Sequence, residues 1–186
     1  MSDIGQIKAN GKHGVERRPN YRQERDPKSI LRDGYLRIVE REIEIDRRAD
    51  CLRRFIDLGP PKAHDVAEIS AEIAGLELCI SPPTVRTMTV EQMRRDPSAL
   101  GWASLSSDNV IHVRFHGVCN CEIASVVAHE TRHRYQMVNK LFISLIRKGQ
   151  SEADADKFKN TFISKYLRGV SCSCVALKEN RQWQKI

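Results

Sequence analysis

His129 and His133 stand four positions apart behind the apolar run Ile123, Val126, Val127 and Ala128, and this spacing constrains the fold more than any other feature of the chain. On an α-helix, residues i and i+4 share a face one turn apart, so both imidazoles can reach a single ion. The apolar run predicts that this helix is buried, as a helix must be if it is to hold ligands rigidly. Glu130 then lies beside the ion without having to bind it, which is the place of a general base acting on a metal-activated water. Together the residues from His129 to His133 read H-E-x-x-H.

A catalytic zinc needs a third protein ligand and one open position, and two histidines with a glutamate are a known solution. Glu152 is the candidate third ligand. It opens the run Glu152, Ala153, Asp154, Ala155, Asp156, whose E-x-x-x-D spacing on a further helix turns Asp156 the same way as Glu152. A carboxylate at Asp156 is placed to accept the second ring N–H of a ligand histidine, fixing its tautomer. One geometric condition follows. A straight helix from His133 to Lys148 would carry the chain about 22 Å from the metal, and Glu152 could not return in the few residues left. The helix is therefore expected to end early, at Asn139, a residue tolerant of the left-handed conformation, with Leu141–Ile146 forming a separate apolar turn or short helix.

With these residues in place, the sequence resembles the gluzincin-type zinc metallopeptidases, in particular their small intracellular bacterial and phage versions, which pair H-E-x-x-H with a downstream E-x-x-x-D. The resemblance covers residues 109–165. It implies zinc ligands at His129, His133 and Glu152, a catalytic base at Glu130, Asp156 behind a ligand histidine, and hydrolysis of a protein or peptide substrate. The family's oxyanion-stabilising Tyr or His has no matching motif here. The metzincin pattern fits worse, because neither the Gly nor the third His that it needs closely follows His133.

Elsewhere, hydrophobic periodicity assigns an α+β architecture of zincin-like type. Residues 1–28 are polar and charged and read as a flexible tail, residues 29–175 as the metallopeptidase domain, and residues 176–186 as a C-terminal tail. A long amphipathic helix carries Leu31, Tyr35, Ile38, Ile45, Ala49, Leu52 and Ile56 to a stop at Gly59-Pro60-Pro61. A second, from Asp65 to about Gly75, carries Val66, Ile69 and Ile73. Residues 84–115 read as a small antiparallel sheet with strands at Gly101–Leu105 and Asn109–Phe115, the latter expected as an edge strand near the metal, able to pair with a substrate backbone. His112 and His116 read as its polar face. Ser151 is expected to cap a helix running through Phe158 and Phe162 to a stop at Gly169. Trp102, Tyr135, Phe142, Phe158 and Phe162 read as core, and Arg132 and Arg134 as solvent-facing.

Lys and Arg number 31 against 24 Asp and Glu, a net charge of +7, which permits a weak attraction to nucleic acid. The charge is dispersed, however: between Arg41 and Arg54 basic residues alternate with Glu42, Glu44, Asp46 and Asp50, as on a solvated helix face. No apolar run approaches the roughly 20 residues of a membrane span, and residues 1–28 hold no core of a secretory signal, so no membrane is expected as partner and the expected location is the cytoplasm. The cysteines are then expected as thiols. Cys119 with Cys121, and Cys172 with Cys174, form two C-x-C pairs that could hold a second, structural zinc or form redox-active bridges, against the plainer reading of small buried residues. The alternative to an enzyme is a zinc-stabilised, non-catalytic module that binds a partner or nucleic acid.

Overall fold

The structure, a computed structural model, describes residues 27–59, 62–105 and 108–170. The element order is α1 (Pro27–Asp57), α2 (Ala63–Leu78), β1 (Thr84–Thr87), α3 (Val90–Arg95), β2 (Gly101–Ala103), β3 (Val110–Val113), α4 (Asn120–Val138), α5 (Phe142–Arg147) and α6 (Ser151–Tyr166). The chain divides into two units, Met1–Leu36 and Arg37–Ile186, and the second contains every element but the first turns of α1. Among the described residues no helix is long and apolar enough to cross a membrane. The expected tail at residues 1–28 falls outside the described residues except for Pro27 and Lys28, which lie in α1; the expected tail at residues 176–186 lies wholly outside them.

The core forms where the apolar stripes of the helices meet the sheet. On α1 the stripe is buried from Ile45 onward, through Ala49, Leu52 and Ile56, whereas Leu31, Tyr35 and Ile38, expected in the same stripe, are exposed. α2 contributes Val66, Ala67, Ala71, Ile73 and Ala74 and packs against α4, which packs in turn against α6 and against β2 and β3. α4 gives this core Ile123, Ala124, Val127, Ala128 and Thr131, all fully buried. Its start is anchored by Asn120, whose side-chain amide donates to the backbone oxygens of Phe55 (3.2 Å) and Gly59 (2.6 Å) where α1 ends.

The sheet is mixed, with strand order β1-β3-β2, and this corrects two expectations. β2 and β3 pair antiparallel, Trp102 opposite His112, but β1 pairs parallel to β3, Arg86 opposite His112. β3 is therefore the central strand, not an edge, and cannot accept a further chain; the edge strand beside α4 is β2. Sequence reasoning fails here because a parallel pairing is made over a long crossover and leaves no local turn signal. α3 occupies that crossover, closed at its start by a reciprocal cap between Thr89 and Gln92. Trp102, expected in the core, is 39% exposed, since alternation along β2 turns it away from the α4 side that Gly101 and Ala103 face.

α4 ends at Val138 with Asn139 as its cap, as the geometric condition required. The left-handed residue is Lys140 (φ +58°) rather than Asn139, because the chain closes a Schellman motif: Leu141 N–H donates to Gln136 O and Lys140 N–H to Met137 O. α5 closes the same way at Gly149 (φ +65°), where glycine bears the left-handed turn without strain. Two such reversals bracket a six-residue helix and bring the chain back to Ser151. Ser151 is the first helical residue of α6 rather than its cap, and its hydroxyl is used elsewhere.

The far ends of α2 and α6 are tied by Glu77, which accepts from Lys165 and from the buried Tyr166 hydroxyl. Burial pushes the Glu77 carboxyl up, but these hydrogen bonds outweigh it and hold it below the usual range; burial and the Glu77 contact push the Tyr166 hydroxyl up to about 12. A carboxyl depressed on folding stabilises above its unfolded value of 4.5 and loses that contribution as pH falls through the folded value. Glu77→Gln should cost about 1 kcal/mol at neutral pH. In urea denaturation the gap from wild type should narrow between about pH 7 and about pH 3; a gap unchanged by acid would show that the contact does not depend on the carboxylate charge.

Candidate metal centre

α4 presents His129 and His133 on the face that meets the first turn of α6, and there Glu152 joins them. The two histidine Nε2 atoms are 3.1 Å apart; His129 Nε2 lies 3.2 Å from one carboxylate oxygen of Glu152, and His133 Nε2 lies 3.3 Å from the other. A tetrahedral zinc with bonds of about 2.0–2.1 Å requires ligand-to-ligand edges of about 3.3 Å. The ligand atoms of these three residues all lie within 4.8 Å of one another, a grouping able to hold a metal ion. His133 is buried, His129 half-buried, and the Glu152 side chain is 76% exposed, so the cluster is open on the glutamate side.

The donor set fits a cation because its protonation is fixed from behind. The Gln136 amide nitrogen donates to Ser151 O (3.0 Å) and Asp154 Oδ2 (2.8 Å), which orients the amide so that its oxygen accepts from the Ser151 hydroxyl (2.8 Å) and faces His133 Nδ1 at 3.0 Å. His133 must then carry its proton on Nδ1, leaving the Nε2 lone pair for the cluster. His129 turns Nδ1 toward Asp156 Oδ1 at 3.1 Å, an approach that lacks full hydrogen-bond geometry but favours the same tautomer. Burial, then the neighbouring His133, hold His129 below its usual value against the opposite pull of Glu152 and Asp156. The two imidazole nitrogens stand at about the edge length of a metal tetrahedron with one Glu152 oxygen facing each, a crowding of acceptors that a cation would relieve.

Asp154 is held in turn by Arg132, whose guanidinium donates to both carboxylate oxygens (2.8 and 3.0 Å) and lies over Tyr135, 4.5 Å from the ring centroid. The Arg132 hydrogen bonds, despite burial, keep Asp154 well below the usual carboxylate range. Arg132 therefore anchors the chain Asp154, Gln136, His133 rather than facing solvent. Arg134 is buried and donates to Ser104 O at 2.7 Å, fastening α4 to the end of β2. Both were expected on the surface.

Glu130 is buried, 8% exposed, under the β2 edge, and its carboxylate accepts from the Ala103 backbone N–H. Burial dominates its ionisation and pushes it up to about 7, against the pull of His133 and the Ala103 N–H, with Glu152 adding to the rise. The space it occupies exists because residue 101 is glycine. A Cβ there would stand 2.5 Å from Val126 Cγ1, 2.8 Å from Glu130 Cγ and 2.9 Å from Glu130 Oε1. A cleft of about 410 Å³ opens over the cluster, with β2 and Leu105 on one side and Met137 and Phe142 on the other. Phe142, expected in the core, is half-buried and meets His133 edge-on at 6.2 Å between ring centroids.

His129, Glu130, His133, Glu152 and Asp156 are thus brought together as the sequence predicts. Cys119 caps α4 and Cys121 lies in its first turn, while Cys172 and Cys174 fall outside the described residues, so the second pair cannot be placed beside the first. Sequence reasoning missed Gln136, Ser151 and Gly101. Gln136 was within reach of it, being i+3 from His133 and hence on the same face. Ser151 reads from sequence as a cap, and the importance of Gly101 depends wholly on which helix β2 meets. Set against protein-family models, curated proteins and solved structures, the chain finds no match.

Two variants probe this construction. Gln136→Leu removes the acceptor that holds the His133 proton and should weaken zinc affinity by about 10–100-fold, measured by competition with a chromophoric chelator. Gly101→Ala should lower stability by about 1–3 kcal/mol in denaturant titration. Adding Val126→Ala, which deletes the tightest contact, should recover part of that loss; no recovery would show that the Cβ is accommodated in some other way.

Proposed function

We propose that this chain is a zinc-dependent metallopeptidase of gluzincin-like arrangement, with ligands His129, His133 and Glu152 and general base Glu130. The observation that carries the reading is the grouping of His129, His133 and Glu152, whose ligand atoms lie within 4.8 Å of one another, beside a buried carboxylate and on the floor of an open cleft. A zinc ion bound there would supply a water acidified toward neutrality and polarisation of the scissile carbonyl.

The chain's own residues do the rest. Glu130, held between α4 and the Ala103 N–H, takes the proton of the attacking water and returns it to the leaving amine. Gln136 holds the His133 proton on Nδ1, and Asp156 stands behind His129. Backbone alternation turns the free N–H and C=O groups of Gly101 and the carbonyl of Ala103 to the outer edge of β2, where an extended peptide can add as a further strand. The substrate strand therefore belongs to β2, not to Asn109–Phe115. A purely structural zinc site would leave Glu130 without a task and gain nothing from an open glutamate side.

The test begins with zinc per chain in protein purified without added metal. About one ion in wild type and none in His133→Ala is expected. Glu130→Gln should retain the zinc while peptide hydrolysis falls by about 10²–10⁴-fold. Undiminished cleavage in this variant would falsify the mechanism, and zinc that survives in His133→Ala would move attention to the cysteine pairs.

A further inference from the structure

Beside the metal cleft lies a second hollow of about 350 Å³, lined by Leu105, Met137, Lys140, Phe142 and Ile143. It shares Leu105, Met137 and Phe142 with the cleft, so the two adjoin. They differ in chemistry. The cleft includes the carboxylates of Asp96, Glu130 and Glu152, whereas the hollow has none and Lys140 is its one charged wall among the described residues.

The ridge that carries the hollow has the same bias. From Val138 to Gln150 the sequence contains no Asp or Glu, but it contains Lys140, Arg147 and Lys148. Among the described residues none of these three pairs with a carboxylate. In the same stretch Val138, Leu141, Ile143 and Ile146 are 58%, 41%, 66% and 54% exposed, and Leu105, which lines the hollow with Ile143, is 72% exposed. Large apolar residues clustered at such exposure mark a binding surface.

We infer that the hollow and the α5 ridge are a docking site for the substrate polypeptide, taking a large apolar side chain in the hollow and acidic residues over Lys140, Arg147 and Lys148. Concavity favours a polypeptide over a lipid surface, because Leu105, Met137, Phe142 and Ile143 wall a depression beside the metal cleft instead of forming a face that could lie on a bilayer. The absence of carboxylates sets the sign of the partner's charge. The identity of the occupant as substrate rests on the hydrolase reading; the docking itself does not need it.

The probe is a fluorescein-labelled peptide alternating glutamate with leucine and phenylalanine, titrated by anisotropy into the full-length, zinc-loaded Glu130→Gln protein, which leaves the peptide intact. Binding should weaken with added salt, and at least about tenfold in Ile143→Glu and in the double variant Arg147→Glu, Lys148→Glu. Lysine in place of glutamate in the peptide, or alanine in place of its leucine and phenylalanine, should reduce binding similarly. Circular dichroism and zinc content of the ridge variants guard against misfolding, and a reversed preference for the lysine peptide in the charge-reversal variant would support docking even if that variant were less stable. Equal affinity for all the peptides, or affinity untouched by the ridge variants, would overturn the assignment. So would tighter, Ile143-dependent binding to phosphatidylserine vesicles than to the acidic peptide. Anisotropy binding with no cleavage of any peptide by zinc-loaded wild type would sink the hydrolase reading while leaving the docking site in place.

Discussion

α4 is buried on most of its circumference and yet carries Glu130, His133, Arg134 and Gln136 at buried positions, so the structure around it must supply partners for groups that are costly to bury alone. Each finds one: Glu130 on β2, Arg134 at the end of β2, His133 on Gln136 of the same helix, and Gln136 on α6. The site is thus part of the core. The same bonds that satisfy these buried groups also aim the His133 imidazole and seat the Glu130 carboxylate against the sheet.

This dependence explains why the path from α4 to α6 is so tightly wound. Gln136 can reach Ser151 and Asp154 only if the chain returns to it within the span of α5, and two Schellman closures achieve that. The first places a lysine in the left-handed region, a conformation that costs about 1–2 kcal/mol for a residue with a Cβ. Close packing of α6 against α4 offsets this cost. A by-product of the tight return is that α5, too short to bury a full face, leaves its apolar side chains at the rim of the cleft.

The division of labour between the walls of the cleft follows from the strand order. Because β3 is central, β2 has no partner strand among the described residues on the side away from it, and its outward backbone groups meet both Glu130 and the cleft. Gly101 allows the helix to approach that edge closely enough for the Ala103 N–H to reach the carboxylate. Polar backbone thus lines one wall and the apolar α5 side the other.

The local order of the chain determined much of this: the i, i+4 histidines, the turn of Asp156 toward the same side as Glu152, the early end of α4 and a separate short helix were all legible, because each follows from helix geometry over a few residues. What tertiary structure alone decided was which surfaces meet. The parallel pairing of β1, the exposure of Trp102, the burial of Arg134 and the seat that Gly101 makes for Glu130 depend on contacts between segments far apart in the chain. Periodicity records that a face is apolar but not what it packs against, and a side chain's role in a buried network is set by the partner that arrives from elsewhere.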